Sequence, residues 1–194
     1  MKKNHLFGMI CAGAVTLSSL YAGENLLKNP TFNEGLKHWS LAGKIVDNTV
    51  SKDPGGKSIT WKYPKNGKGQ ICGYQKVELN QTTPKAFTYG CSSKCEGLGV
   101  NITPSHSIYG IELCVRFMDG SHKWMRPAKK FSMGTHDWET IEDTYTPPRP
   151  IKDITFFFRI KTPGQVWYDE FYIIEKDTAP AAAPKAAVPE KAKK

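Results

Sequence analysis

Apolar and polar positions in this chain alternate with a period of two, in short runs broken by Gly, Pro and Asn, and no segment sustains a helical stripe. The clearest run is 108–118, where Ile111, Leu113, Val115 and Phe117 alternate with Glu112, Cys114 and Arg116. Asp119-Gly120 then marks a hairpin turn, and the chain returns through Lys123, Trp124, Met125 and Arg126. Residues 57–63 place Ile59, Trp61 and Tyr63 on one face, and 73–79, 86–95, 139–145, 154–160 and 166–174 read as further strands. Two prolines, Pro147 and Pro148, close the strand at 139–145. About nine or ten strands at this spacing predict an all-β domain, an antiparallel β-sandwich or jelly roll.

The two ends of the chain depart from the pattern. Lys2 and Lys3, an apolar run from Leu6 to Val15 and small residues up to Ala22 form an export signal, with cleavage expected near Ala22. Residues 178–194 are Pro, Ala and Lys with no apolar periodicity, which predicts a disordered tail. The expected organisation is therefore a signal peptide at 1–22, one sandwich at 23–177 and a tail at 178–194. The expected location is secreted, periplasmic or at the cell surface. The formal net charge of +9 falls to roughly +4 on the core once the lysines of both ends are set aside. That balance, with no basic–aromatic stripe, argues against nucleic acid as a partner. The tail is a solvated segment on the simplest reading, and contact with an anionic cell envelope is the functional one.

Four cysteines lie outside the signal: Cys72, Cys91, Cys95 and Cys114. An even number in an oxidising compartment predicts disulfides, with three connectivities open. A bridge within Cys91-x3-Cys95 is disfavoured by strand geometry, so bridges to Cys72 and Cys114 are expected. The absence of any Cys-x2-Cys pair argues against zinc.

The opening stretch 25–39 carries Leu27, Phe32, Leu36 and Trp39 at irregular spacing, which predicts a short strand breaking into an ordered loop. Asn29, Asn33 and Glu34 put three oxygen-bearing side chains beside Gly35. They serve either to satisfy turn backbone or to hold a hard cation. In the last strand, period two places Trp167, Asp169, Phe171 and Ile173 on one face. A carboxylate among such neighbours needs a partner, either a lysine, backbone amides or a metal.

The opening NLLKNPTFNEGLKHW, the central YGCSSKCEG, the run from IELCVRFMDG onwards and the closing VWYDEFYIIEK together resemble carbohydrate-binding modules of families four, nine and twenty-two. Those are jelly rolls of the galactose-binding-domain-like superfamily. The similarity covers residues 24–176. It implies a structural calcium held by the opening loop and the first Asp of the closing strand, here Asn33 and Asp169. The family pattern has Glu where this chain has Asn33, and the neighbouring Glu34 is the substitute ligand.

The resemblance also implies a polysaccharide or glycan ligand, held by an aromatic ring stacked on the sugar and by side-chain hydrogen bonds. Trp39, Trp138 and Trp167 fall at positions the family buries, and the pattern around Trp61 makes it core as well. Trp124, among Lys123, Met125 and Arg126, is the stacking candidate. Glu112, Arg116 and Arg126 are candidate hydrogen-bonding residues, and Tyr168 and Tyr172 form a further exposed aromatic pair if Trp167 faces inward. Phe157 and Arg159 point outward by the same alternation. No metal-ligand histidine spacing, no nucleophile elbow and no close carboxylate pair occurs, so catalysis is not expected. The expectation is an exported, monomeric, non-catalytic carbohydrate-binding protein. The alternative is an adhesin or envelope-assembly module that keeps the fold without binding sugar.

Overall fold

A computed structural model describes residues 23–41, 46–47, 49–53, 55–99 and 108–176. The signal segment and the tail expected from the sequence lie outside these residues. Ten strands follow one another: β1 (Ser40–Leu41), β2 (Val46–Asp47), β3 (Ser58–Tyr63), β4 (Ile71–Glu78), β5 (Phe87–Leu98), β6 (Tyr109–Phe117), β7 (His122–Met125), β8 (Gly134–Tyr145), β9 (Ile151–Ile160) and β10 (Gly164–Glu175). They form two five-stranded antiparallel sheets, a front sheet in the order β1-β4-β9-β6-β7 and a back sheet in the order β2-β3-β10-β5-β8. The all-β sandwich read from the alternation is the observed architecture.

The core lies between the sheets and is filled by the inward member of each alternating pair. Phe156 and Phe158 of β9 are fully buried, while Phe157 between them points out of the front sheet. Trp61 stacks on Phe158 at 4.7 Å with the rings 10° from parallel. Tyr168, Phe171 and Trp39 pack edge-on or tilted around the same Phe158. Rings of this size bury enough apolar area to contribute roughly 2–3 kcal/mol each.

The opening stretch is a series of turns held to β10, not a strand, with one isolated bridge from Asn25 to Ile174. Asn29 adopts a left-handed φ of 49°, which Asn tolerates, and its side chain organises the turn. Its amide donates to the carbonyls of Gly35 and Lys37, and its oxygen accepts from Glu34 N. The turn delivers Phe32 and Trp39 to the core.

The alternation of β10 changes phase part-way. A bulge between Asp169 and Tyr172, with Glu170 at φ 52°, moves the inward set from Val166 and Tyr168 to Phe171 and Ile173. Trp167 and Asp169 therefore do not share the face of Phe171, contrary to the strict period. Trp167 is buried outside the core, its indole N–H donating to Asp47. Tyr168, expected to be exposed, is wholly buried. Trp138 is only half-buried, on the edge strand β8. The polar groups that the bulge frees are taken up by the opening stretch. Asn25 Nδ2 donates to Phe171 O at 2.8 Å, Asn25 Oδ1 accepts from Ile173 N, and Phe171 N donates to Pro30 O.

The expected disulfides do not form, and all four cysteines are free. Cys72 and Cys114 flank β9 in register with Arg159 and Thr155, two strands across and four residues along. That separates them by roughly 16 Å, against the ~7 Å limit for a bridge. Cys91 and Cys95 lie four residues apart on β5 of the other sheet, both in the core. Burial pushes the Cys91 thiol well up and that of Cys95 up to about 11, so neither is a ready thiolate near neutral pH.

Candidate functional site

The outward face of the front sheet assembles most of the residues with binding chemistry. Register across β4, β9 and β6 sets Tyr74, Phe157 and Glu112 in one row. The next row holds Lys76, Thr155, Cys114 and Trp124, and the one beyond it Glu78, Asp153, Arg116 and His122. Tyr74 and Trp124 flank Phe157, with ring centroids 5.5 and 5.4 Å from it. This is a continuous aromatic strip whose two outer rings are about half exposed, 42% for Tyr74 and 48% for Trp124. The Arg159 guanidinium lies 4.7 Å from the Phe157 centroid and 5.7 Å from that of Trp124, within cation–π range.

Charged groups border the strip. Glu112 is buried and accepts from two arginines, Arg126 through Nε and Nη2 at 3.0 and 2.9 Å and Arg159 through Nη1 at 2.9 Å. On the far side, buried Asp153 accepts from Arg116 at 2.5 and 2.9 Å, and Lys76 stands 3.7 Å away. The Asp153 carboxylate raises the pKa of Arg116 further above its ordinary range. Glu112 and Asp153 lie on neighbouring strands, four residues apart in register, or roughly 14 Å. Glycosidase carboxylates stand about 5–9.5 Å apart, so this pair does not match that geometry. Beside the aromatic row, a cavity of about 240 Å³ opens between the start of β6, the β7–β8 connection and β9. Tyr109, Glu112, Arg126, Lys129, Lys130 and Arg159 are among its lining residues.

Of the residues the sequence singled out for binding, Trp124, Arg126, Glu112 and Arg116 come together on this face. Tyr172 does not. It lies on the outer face of the back sheet, its hydroxyl donating to Glu142 at 2.9 Å, with its ring across Gly90. A Cβ at Gly90 would sit 2.5 Å from the Tyr172 oxygen. Tyr74, Lys129 and Lys130 were not foreseen. The 71–78 alternation carried a signal for Tyr74, but only pairing with β9 puts it beside Phe157.

The calcium expected at Asn33, Glu34 and Asp169 does not fit the side chains as they stand. Asp169 is buried beneath residues 51–52, with Oδ2 accepting from Ser51 Oγ and Lys52 N and Oδ1 from Glu170 N. Burial outweighs these bonds and pushes its pKa up to about 6. Glu34 sits on the surface paired with Lys37, which lowers its pKa. Asn33 is exposed, and its carbonyl accepts from the Lys57 ammonium at 3.1 Å, a positive charge in the loop expected to hold a cation. Among the described residues no group of three or more His, Cys, Asp or Glu side chains comes together to hold a metal.

Solved structures share this architecture. The CBM22-1 xylan-binding domain of Paenibacillus barcinonensis Xyn10C superposes with a TM-score of 0.55 at 15% identity, over 83% of this chain and all of that one. A family 16 carbohydrate-binding module superposes with a TM-score of 0.54 at 18% identity, over 78% of this chain and all of that one. The likeness is one of fold, the β-sandwich those two domains have. No protein-family profile matches the chain. In sequence it is similar to the tRNA3(Ser)-specific nuclease WapA of Bacillus spizizenii, 27% identical over an alignment of 176 residues that covers 87% of this chain. The chain spans only 7% of that relative's length.

Proposed function

We propose that this chain is an exported, non-catalytic glycan-binding protein whose ligand lies along the Tyr74–Phe157–Trp124 strip of the front sheet. The observation that carries the reading is the contiguous row of rings, open to solvent and bordered by ion-paired arginines and carboxylates. Sugars have apolar faces that stack on rings and hydroxyl edges that need both donors and acceptors, and this face supplies all three. Trp124 is the stacking platform with Tyr74. Arg126, Arg159 and Glu112 hold the rim on one side, and Arg116 with Asp153 on the other. The xylan-binding domain with the same fold supports a polysaccharide ligand. The nuclease relative shares a segment of 7% of its length with this chain, so the reading takes from it a common module and not its activity.

The test is isothermal titration of the full mature chain against a panel of polysaccharides. At least one glycan binds, and Trp124→Ala weakens it by about 2 kcal/mol, roughly 30-fold, with little change in melting temperature. Binding that survives Trp124→Ala unchanged, or cleavage of tRNA by the purified chain, would overturn the reading.

A further inference from the structure

We infer that the glycan is acidic, and that the cavity beside the aromatic row receives its carboxylate or sulfate group. The inference rests on the glycan-binding reading above. It starts from an imbalance in the charges that line the cavity. Arg126 and Arg159 share a single carboxylate, that of Glu112, whose two oxygens they already occupy. Two guanidiniums carry ten N–H donors between them, far more than one carboxylate can accept. Arg159 Nε is buried without an acceptor. Arg126 is mostly exposed and presents its remaining donors outward. Lys129 and Lys130, exposed on the β7–β8 connection, add two further positive charges to the lining.

Among the described residues no carboxylate forms an ion pair with either lysine. Lys129 reaches only the carbonyl of Thr140, at 3.4 Å. Glu139, whose pKa Lys129 helps to lower, accepts instead from Ser132 N. The lining thus carries four cations against one carboxylate, in a space of about 240 Å³. That is below the ~300–1,000 Å³ of a typical small-molecule site, and suits one sugar unit with its charged substituent. The far side of the strip lacks this excess, because Arg116 and Lys76 converge on Asp153, and Lys76 also pairs with Glu78. An extended acidic chain stacked along the rings therefore has one end where its charge is matched by forked and mobile donors.

The experiment compares oligogalacturonate (carboxylated), a carrageenan oligosaccharide (sulfated, without carboxylate) and xylo-oligosaccharide (neutral) of equal length, at near-physiological salt. The acidic ligands are expected to bind at least ~10-fold more tightly than the neutral one, a gap of the size that charge-assisted hydrogen bonds supply. The double variant Lys129→Gln/Lys130→Gln, at exposed positions, is expected to remove most of that gap while leaving neutral binding and melting temperature unchanged. Whether the carboxylated or the sulfated arm binds more tightly identifies the group. Equal or tighter binding of the neutral ligand overturns the inference and leaves the glycan-binding reading standing. Acidic binding that is insensitive to Trp124→Ala, or matched by a single-stranded oligonucleotide, overturns it as counterion attraction without a sugar site. Failure of every glycan to bind overturns both.

Discussion

The outer faces of the two sheets are built from similar residues and finished in opposite ways. On the front sheet, Tyr74 and Trp124 are left half open over β4, β9 and β7. On the back sheet, the corresponding surface is covered and internally bonded. Lys52 reaches over to Glu170, Ser92 and Thr140, with Ser92 Oγ also donating to Glu170. Asp47 takes the indole N–H of Trp167, and Glu142 takes the hydroxyl of Tyr172. The lesson is that an aromatic residue pointing outward is not yet a binding residue. What matters is whether neighbouring loops leave its ring uncovered and its polar rim with donors to spare, as at Tyr74 and Trp124 on the front face.

The comparison can be broken most forcefully on β9, where two adjacent rings belong to different regions. Phe158→Ala should cost about 3–5 kcal/mol in urea unfolding, because it empties the centre of the core. Phe157→Ala should cost only about 1 kcal/mol yet weaken glycan binding. Equal destabilisation by the two would dissolve the distinction between core and binding face.

The covered back face predicts a pH effect. Asp169 has a pKa of about 6 in the folded protein, above the ~4 of an unfolded chain, so the native state binds the extra proton between those values. Its contribution to stability is complete below about pH 4 and is lost as pH rises through about 6, a fall of about 2–3 kcal/mol. Urea unfolding of the native chain and of Asp169→Asn at pH 4.5 and 7.5 should show this slope in the former and not in the latter. A native slope that the substitution leaves intact would place the titration elsewhere.

Tyr172→Phe removes one hydrogen bond from the back face and should lower stability by at most about 1 kcal/mol, with glycan affinity unchanged. Loss of affinity would return Tyr172 to the binding site. The smallest effect concerns calcium. With Asp169 occupied by protein donors and Lys57 in the opening loop, a chelator should move the melting temperature by less than ~1 °C, since a ligand that does not bind the native state cannot stabilise it. A larger drop would restore a cation to that loop.

Much of this was legible in the sequence, for reasons that differ between elements. Alternation within 108–118 and 154–160 placed Glu112, Arg116, Phe157 and Arg159 outward, because side-chain direction in a regular strand depends only on position parity. Trp124 and Arg126 followed, since the Asp119-Gly120 turn ties β7 to β6 over a few residues. The opening and closing stretches, which the resemblance linked through a shared calcium, lie side by side, joined by Asn25 and Pro30 to the bulge of β10. Parity failed at that bulge, where one extra residue turned Trp167 and Asp169 away from the face of Phe171.

The period-two alternation, read alone, determined that the chain is an all-β sandwich and which face of β6 and β9 carries polar and aromatic groups. Tertiary structure decided which of the two outward faces stays open, which strands lie beside one another, and which donor each buried carboxylate meets. It set Tyr74 beside Phe157, brought Lys129 and Lys130 to the Arg126–Glu112–Arg159 cluster, and kept the four cysteines apart. The physical reason is one of range. Side-chain direction in a strand is a local consequence of backbone geometry. Register, cover and charge pairing depend on residues far apart in the chain, 148 positions in the case of Asn25 and Ile173, and only the packed molecule brings those together.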